Sequence, residues 1–226
     1  MRLLFNSATG RLVGRPFVAA WQELQASYRR TYPQFPAAPQ VRVRNVNDEA
    51  TLDALLQYAP DLVIVSGTNL VGKRVIEAAG RRLGVVNMHT GISPYVKGGP
   101  NCTNWCISTL QFDKIGNTIM WINEGIDSGN IITTECTSII DRESLDAVHW
   151  QVMEHAHDLY LRSIAYLLKA SQPYQSIAQK DIAKGELYLT RMWNFKAKKN
   201  LLTNWKRFTR FRASENNSSL ITIPLR

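Results

Sequence analysis

Short apolar runs alternate with amphipathic stretches along the first two thirds of the chain. Apolar residues recur at helical spacing after Pro16, and a long amphipathic stretch from Ser144 to Ala170 predicts a second, longer helix. Asn47 is placed to cap a further helix that Pro60 ends, and another helix is expected over 71–79. The predicted strands are 1–5, 41–44, 62–65, 85–89, 117–122 and 130–135, and the 62–65 run is typical of a strand covered on both faces. This alternation favours a parallel sheet with helices on both faces.

Composition excludes several classes of protein. The chain has 226 residues, of which 45% are apolar and 20% charged, a balance unlike that of disordered, collagen-like or coiled-coil chains. No apolar run approaches the roughly 20 residues that a membrane-spanning helix needs. The first residues do not form the apolar core of a secretory signal, and three cysteines indicate reduced thiols. We therefore expect a soluble, cytoplasmic protein.

The positive charge is concentrated at one end of the chain. The formal net charge is +9, and the segment from Lys180 onward carries 11 basic and 3 acidic residues. Aromatic residues are interleaved with these cations, and they would suit stacking on bases or insertion at a membrane surface. The favoured alternative is that they pack onto the body of the protein and leave the lysines in water. The aromatic residues concerned are Trp193, Phe195, Trp205, Phe208 and Phe211.

Candidate chemistry lies where two of the predicted strands end. Asn87 and His89 are two residues apart, so their side chains project from the same face of a strand, at the edge where open sheets bind ligands. A carboxamide and an imidazole can stabilise an oxyanion and transfer a proton, although either residue can also be purely structural. Asp127 lies in a turn between Gly125 and Gly129, where an aspartate can simply bond its own backbone.

Taken together, these segments resemble the folate-dependent formyltransferase family. The family signature is an Asn-x-His pair at a strand end, a Pro-x-x-x-Gly loop and an Asp-x-Gly turn, and the resemblance extends over about 41–170. One departure is that His89 is followed by Thr-Gly-Ile-Ser-Pro where the family usually has Pro-Ser-Leu-Leu-Pro. The matching residues are Asn87, His89, Pro94, Gly98, Asp127 and Gly129.

The resemblance implies an α/β, Rossmann-like fold with a mostly parallel sheet, helices on both faces, a shortened N-terminal part and a small basic C-terminal extension. It divides the chain into a catalytic domain, 1–170, and an extension, 171–226. It also implies formyl transfer from 10-formyltetrahydrofolate to a primary amine. Asn87 would hold the oxyanion, His89 would mediate proton removal from the amine, and Asp127 would orient His89 and relay the proton.

Further site residues follow from the same resemblance. The expected folate-binding residues are Gly67, Asn69, Leu70, Ile122, Gly125 and Ile126. The expected substrate-binding residues are Pro94, Lys97, Gly98 and Asn101. No metal site is expected, because the spacing of His149, His155 and His157 does not place all three on one face of a helix.

The acceptor is chosen by elimination among the family's activities. Formyltransferases that act on initiator tRNA normally carry a C-terminal barrel, for which the chain after Ala170 is too short. Glycinamide ribonucleotide enzymes keep a proline after the histidine and lack a basic tail. A nucleotide-linked amino sugar is therefore the favoured acceptor, with other amines as alternatives. A rival hypothesis is a non-catalytic protein whose basic C-terminus binds RNA or an anionic membrane. Separately, the protein is a possible homodimer.

Overall fold

The structure is a computed structural model that describes residues 2–80, 83–171, 173–211 and 220–225, and over 2–12 it describes the backbone only. The helices in these residues are α1 (Arg2–Thr31), α2 (Glu49–Tyr58), α3 (Lys73–Ala79), α4 (Cys102–Ser108), α5 (Leu145–Lys169) and α6 (Phe195–Arg210). The strands are β1 (Leu62–Val65), β2 (Gly84–His89), β3 (Val96–Gly98), β4 (Gly116–Trp121), β5 (Ile131–Cys136) and β6 (Glu186–Tyr188). Short 3-10 helices lie at Phe112–Lys114, Gln179–Asp181 and Thr190–Met192.

Four strands form the central sheet, in the order β1-β2-β4-β5. The β1/β2 pair is parallel, whereas the β2/β4 and β4/β5 pairs are antiparallel. The α/β class is confirmed, but the expectation of a mostly parallel sheet is wrong. For β4 and β5 the reason lies in their connection, since a short loop over 122–130 joins them, and a short loop can join only antiparallel neighbours.

Two predicted strands are absent from the described residues. The segment 2–5 belongs to α1, and Met1 lies outside the described residues. A helix satisfies its backbone hydrogen bonds locally, whereas a strand at 2–5 would need a partner strand. The segment 41–44 is an irregular loop in which Val41 and Val43 are 49% and 41% exposed. The strand at 62–65 is confirmed but lies at the edge of the sheet, so Ile64 is 53% exposed and not covered on both faces.

Helix α5 covers one face of the sheet. Ser144 caps it, its side chain accepting a hydrogen bond from the Ala147 N–H, and Ala170 ends it, as the sequence predicts. Val86 and Met88 on β2 pack against its apolar face, where Leu159 is fully buried. Because side chains alternate along a strand, the intervening Asn87 and His89 point away from that contact.

The segment that follows α5 packs against the body. Strand β6 pairs in parallel with β3, and α6 lies on α4 through Ala197, Leu201 and Phe208. Phe208 is 1% exposed and meets Phe112 edge to face. Trp193 also packs on this cluster, as the packing alternative expects, whereas Phe195 remains 43% exposed. Among the described helices, none combines the length and hydropathy that crossing a bilayer would require.

Candidate active site

A cavity of about 640 Å³ opens at the ends of β1 and β2, beside the loop that joins β4 to β5. Asn87, His89 and Asp127 all line it. The strand register explains how the first two reach it, since Asn87 lies between Val65 on β1 and Met120 on β4. The sequence thus predicts correctly that this strand end and the 123–129 loop meet.

Both ring nitrogens of His89 face acceptors. Nε2 lies 3.1 Å from the carbonyl oxygen of Val96, and Nδ1 lies 3.4 Å from Oδ2 of Asp127. A carbonyl oxygen only accepts, so Nε2 carries a hydrogen, and a carboxylate favours a hydrogen on Nδ1 as well. The arrangement therefore favours the positively charged imidazolium.

The electrostatics of this buried ring agree with its geometry. Burial by itself lowers the pKa of His89, but the sulfur of Cys102 and the carboxylate of Asp127 outweigh it and raise the pKa to about 9. Burial also raises the pKa of the Cys102 thiol, whereas the neighbouring His89 ring lowers it, so each group favours the charged form of the other. The imidazolium and the carboxylate are thus a buried ion pair inside the cavity wall.

Asp127 does not act as the residue that closes its own turn. Its Oδ2 accepts a hydrogen bond of 2.8 Å from the N–H of Gly98, the last residue of β3. The turn is closed instead by Asn123, whose Oδ1 accepts from the Gly125 N–H at 3.0 Å and from the Ser128 hydroxyl at 2.6 Å. Asp127 adopts a left-handed backbone conformation with φ of 44°, and its carboxylate is directed towards the site.

Gln179 fixes the loop that carries Asp127. Its amide Nε2 donates to the carbonyl oxygens of Asp127 and Gly129, both at 2.8 Å, and the side chain is 7% exposed. No sequence pattern marks this residue as part of the site, because it lies about fifty residues after the loop. A polar side chain in a linker gives no pattern by which its partners can be found.

Cys102 and Gly91 complete the packing around His89. The Cys102 sulfur lies 3.5 Å from Nε2 and donates to the carbonyl of Gly98 at 3.4 Å. A Cβ at Gly91 would lie 2.7 Å from Nε2 and 2.7 Å from the Val96 carbonyl oxygen, so only glycine fits without displacing the ring. Gly91 stands two residues after His89, where the family usually has serine. Its lack of a side chain therefore leaves room for the ring.

The structure brings most of the other predicted site residues to the same cavity. All six residues expected to bind folate line it, namely Gly67, Asn69, Leu70, Ile122, Gly125 and Ile126. Of the four expected to bind substrate, Gly98 and Asn101 line it. Asn101 also caps α4, its Oδ1 accepting from the Asn104 N–H at 3.0 Å.

Pro94 and Lys97 lie outside the cavity wall. Pro94 is buried, and its carbonyl oxygen would lie 1.4 Å from a Cβ built on Gly185, so the C-terminal segment covers it. Lys97 lies within β3, paired with Leu187. A segment distant in sequence lies against this loop, so neither residue lines the cavity, and substrate contacts from these two positions stay a prediction.

The cavity also has lining residues that no sequence motif marks as site residues. Trp21 on α1, Met153 on α5 and Thr190 all line it. Helical spacing places Trp21 on α1, but spacing does not tell which surface the helix covers. Their positions depend on how α1 and the segment after α5 fold back over the sheet.

The histidines on α5 contact neighbouring side chains outside the cavity. His149 is buried with Nε2 3.0 Å from Oδ1 of Asn104, and burial lowers its pKa to about 4. His155 contacts Thr137 and Glu135, at 2.8 and 3.1 Å. Within the described part of the chain, no three His, Cys, Asp or Glu side chains are grouped as metal ligands.

Residues 15–164 match the family model described as Formyl transferase. The chain belongs to this family. It is 30% identical over 135 residues to a methionyl-tRNA formyltransferase from Syntrophus aciditrophicus (strain SB), which covers 59% of this chain and 42% of that protein. It is 27% identical over 166 residues to the methionyl-tRNA formyltransferase of Bacteroides thetaiotaomicron, covering 73% of this chain and 50% of that protein. The matched segments thus span half or less of these relatives.

Solved structures of formyltransferases share the fold. A sugar N-formyltransferase from a Shewanella species superposes with a TM-score of 0.56 at 19% identity, covering 84% of this chain and 83% of that one. The formyltransferase PseJ from Anoxybacillus kamchatkensis, in complex with a UDP-linked formamido sugar and tetrahydrofolate, gives a TM-score of 0.53 at 15% identity, covering 76% and 82%. The resemblance read from the sequence is confirmed at the level of family and fold.

Proposed function

We propose that the protein transfers a formyl group from 10-formyltetrahydrofolate to a primary amine of a small acceptor. The observation that carries the proposal is the meeting of Asn87, His89 and Asp127 in one cavity, with Nδ1 of the imidazole 3.4 Å from Oδ2 of the carboxylate. Formyl transfer needs a hydrogen-bond donor for the carbonyl oxygen and a proton acceptor for the amine. Both groups are available in this cavity.

The cavity wall suits a reduced folate. Leu70 and Ile126 line it yet are 55% and 46% exposed, so a flat, partly apolar ring system placed there would cover them. Gly67 has a φ of 64°, and a Cβ there would meet nothing within 4 Å, which leaves its backbone open to a ligand. These residues, with Asn69, Ile122 and Gly125, would hold 10-formyltetrahydrofolate, which supplies the formyl group.

Asn87 is the proposed oxyanion donor. It is half-buried in the wall and, among the side-chain hydrogen bonds of the described residues, makes none of its own. Its carboxamide N–H is therefore available to the formyl oxygen as that oxygen gains negative charge. Removing one such donor costs on the order of 10²- to 10³-fold in rate in comparable sites.

The His89–Asp127 pair is the proposed proton acceptor. Nε2 of His89 is bonded to the Val96 carbonyl, so proton exchange takes place on the Nδ1 side, which faces Asp127. The Asp127 side chain is 16% exposed and that of His89 is 8% exposed, so the carboxylate is the more open of the two groups. A proton leaving the amine would reach Asp127 first and pass from there to the folate nitrogen as its bond to the formyl carbon breaks. The adjacent imidazolium would stabilise the negative charge on the formyl oxygen.

A nucleotide-linked amino sugar is the acceptor we propose. The support is the sharing of fold, over more than four fifths of both chains, with a sugar N-formyltransferase. The half-exposed indole of Trp21 and the polar side chains of Asn101 and Thr190 in the cavity wall suit a sugar or nucleobase face. Glycinamide ribonucleotide, an amino acid and methionyl-tRNA are the competing acceptors.

The test is a formyl-transfer assay over these four acceptor classes. The protein is incubated with 10-formyltetrahydrofolate and each amine, and the product is identified by a mass gain of one carbonyl. We expect turnover with a nucleotide-linked amino sugar, lost in His89→Gln and reduced in Asn87→Ala. The matched controls are His157→Gln, at a half-exposed histidine, and Asn130→Ala, at an exposed asparagine, since neither residue lines the cavity.

The results distinguish the identity of the acceptor, the formyl-transfer reaction and the assigned site residues. Turnover with another amine would replace the acceptor and keep the chemistry. Folate binding with no transfer to any amine would refute formyl transfer and favour a protein that only binds ligands. Full activity in His89→Gln would refute the assigned site.

A further inference from the structure

Helix α6 carries a cationic face that the proposed chemistry does not use. With 100° per residue, five of its basic residues fall within an arc of about 100°. All five are exposed, and within the described residues none of them forms an ion pair. We call this set the α6 cationic face: Lys196, Lys199, Lys206, Arg207 and Arg210.

The opposite side of α6 is held by the body of the protein. Ala197, Leu201 and Phe208 are buried against α4, roughly 150° around the helix from the cations. Asn204 donates from Nδ2 to the carbonyls of Ile107 and Ser108 at 3.1 and 3.0 Å. The helix is therefore fixed in rotation, and the cations are held together on the surface.

The face is long enough to follow a chain of phosphates. Lys196 and Arg210 are fourteen residues apart, which corresponds to about 21 Å along a helix. Phe195 borders the face at its N-terminal end and is 43% exposed. Aligned cations with a neighbouring open aromatic ring are the combination by which single strands are bound, through phosphate contacts and base stacking.

We infer that the α6 cationic face binds single-stranded nucleic acid. The structure favours this partner over a membrane, because an interfacial helix must insert an apolar face and here that face is occupied by α4. Beside the cations, Phe195 and Leu202 are the exposed apolar side chains of α6, each 43% exposed. This function is independent of formyl transfer and uses a surface outside the catalytic cavity.

The experiment measures binding of a fluorescein-labelled oligouridylate of about 12 nucleotides, within the range such sites cover, by anisotropy at increasing salt. Three to five phosphate contacts predict a slope of log K against log salt of about −2 to −3.5. Replacing all five cations by Gln is expected to bring the slope close to zero, and Phe195→Ala is expected to weaken binding about tenfold. Turnover of a small acceptor should not change in these variants.

The matched control removes five exposed cations elsewhere and so gives the same net charge: Arg29, Arg42, Arg44, Lys73 and Lys169, each replaced by Gln. It should bind as the wild type does. The double variant Lys199→Gln/Lys206→Gln should lower the slope by about one to two and stands in if the five-site variant does not fold. Equal weakening by the control, a wild-type slope near zero, or binding only to phosphatidylserine vesicles would overturn the inference.

Discussion

Replacing Asp127 by Asn tests the electrostatics of the site most directly. Asn keeps the size of the side chain, can still accept from the Gly98 N–H at Oδ, and tolerates the left-handed φ of 44° at this position. The substitution therefore removes the negative charge and leaves the loop in place. We expect the pKa of His89 to fall, because burial continues to disfavour the imidazolium after the carboxylate is gone.

The size of the fall follows from the geometry. Nδ1 and Oδ2 are 3.4 Å apart, a distance at which two unit charges interact by about 5 kcal/mol at an effective dielectric of 20. Part of that is offset by the N–H of Gly98, which already bonds the carboxylate, and neighbouring charges typically shift a pKa by about 1 to 3 units. Because Cys102 also raises the pKa of His89 and stays in place, we expect the pKa to fall from about 9 by roughly 1 to 3 units.

The assay is an NMR titration of the imidazole resonances. The chain has 4 histidines, and His89→Gln identifies the resonance that belongs to the site. His149, whose pKa burial lowers to about 4, is the internal control and should titrate alike in both proteins. An unchanged pKa of His89 in Asp127→Asn would refute the ion pair as the cause of the elevated value.

The same shift links stability to pH. A group whose pKa is raised on folding stabilises the folded state fully below its unfolded pKa, near 6.5, and this contribution disappears as the pH rises through the folded value, about 9 here. The melting temperature of the wild type should therefore exceed that of Asp127→Asn most at acidic to neutral pH. The difference should shrink between pH about 6.5 and 9.

Three further outcomes are expected. Asn87→Ala should lower turnover by roughly 10²-fold with a melting temperature within a few degrees of the wild type, measured on one preparation; unfolding would show that the residue is structural. Gln179→Leu should leave the carbonyls of Asp127 and Gly129 without their donor, lower the free energy of unfolding in urea by about 1 to 3 kcal/mol and reduce turnover. Gln179→Glu should show the same losses, because a carboxylate does not donate a hydrogen bond. Phe208→Ala should cost about 3 to 5 kcal/mol in the same unfolding measurement, and a loss below 1 would show that α6 is not part of the folded core.

The features predicted from the sequence are those fixed by local spacing. Asn87 and His89 share a face because the strand period is two, and the continuous apolar run of β1 predicts a strand wherever it lies in the sheet. The position of a strand within the sheet depends instead on residues distant in the sequence. The exposure of Ile64 follows from β1 being the edge strand, which no pattern within 62–65 reveals.

The opening helix shows the same limit. Residues 2–5 are apolar enough for a strand, but α1 continues through them and through Pro16, and its later part packs on α5 and α6. The site contribution of Trp21 depends on that docking. Sequence spacing predicts the helix after Pro16 correctly and leaves its surface partner undetermined, because the partners are more than a hundred residues away.

The segment after α5 shows why the site extends beyond the residues of the family match. Gln179 and Thr190 lie after residue 164, the end of the matched region, yet one holds the Asp127 loop and the other lines the cavity. Gly98 sits against the carbonyl of Tyr188, which a Cβ would approach to 2.0 Å, so β6 fixes the backbone that donates to Asp127. The position of the carboxylate beside His89 is therefore set by contacts from three segments, and a change in β6 should affect the His89–Asp127 distance without touching either residue.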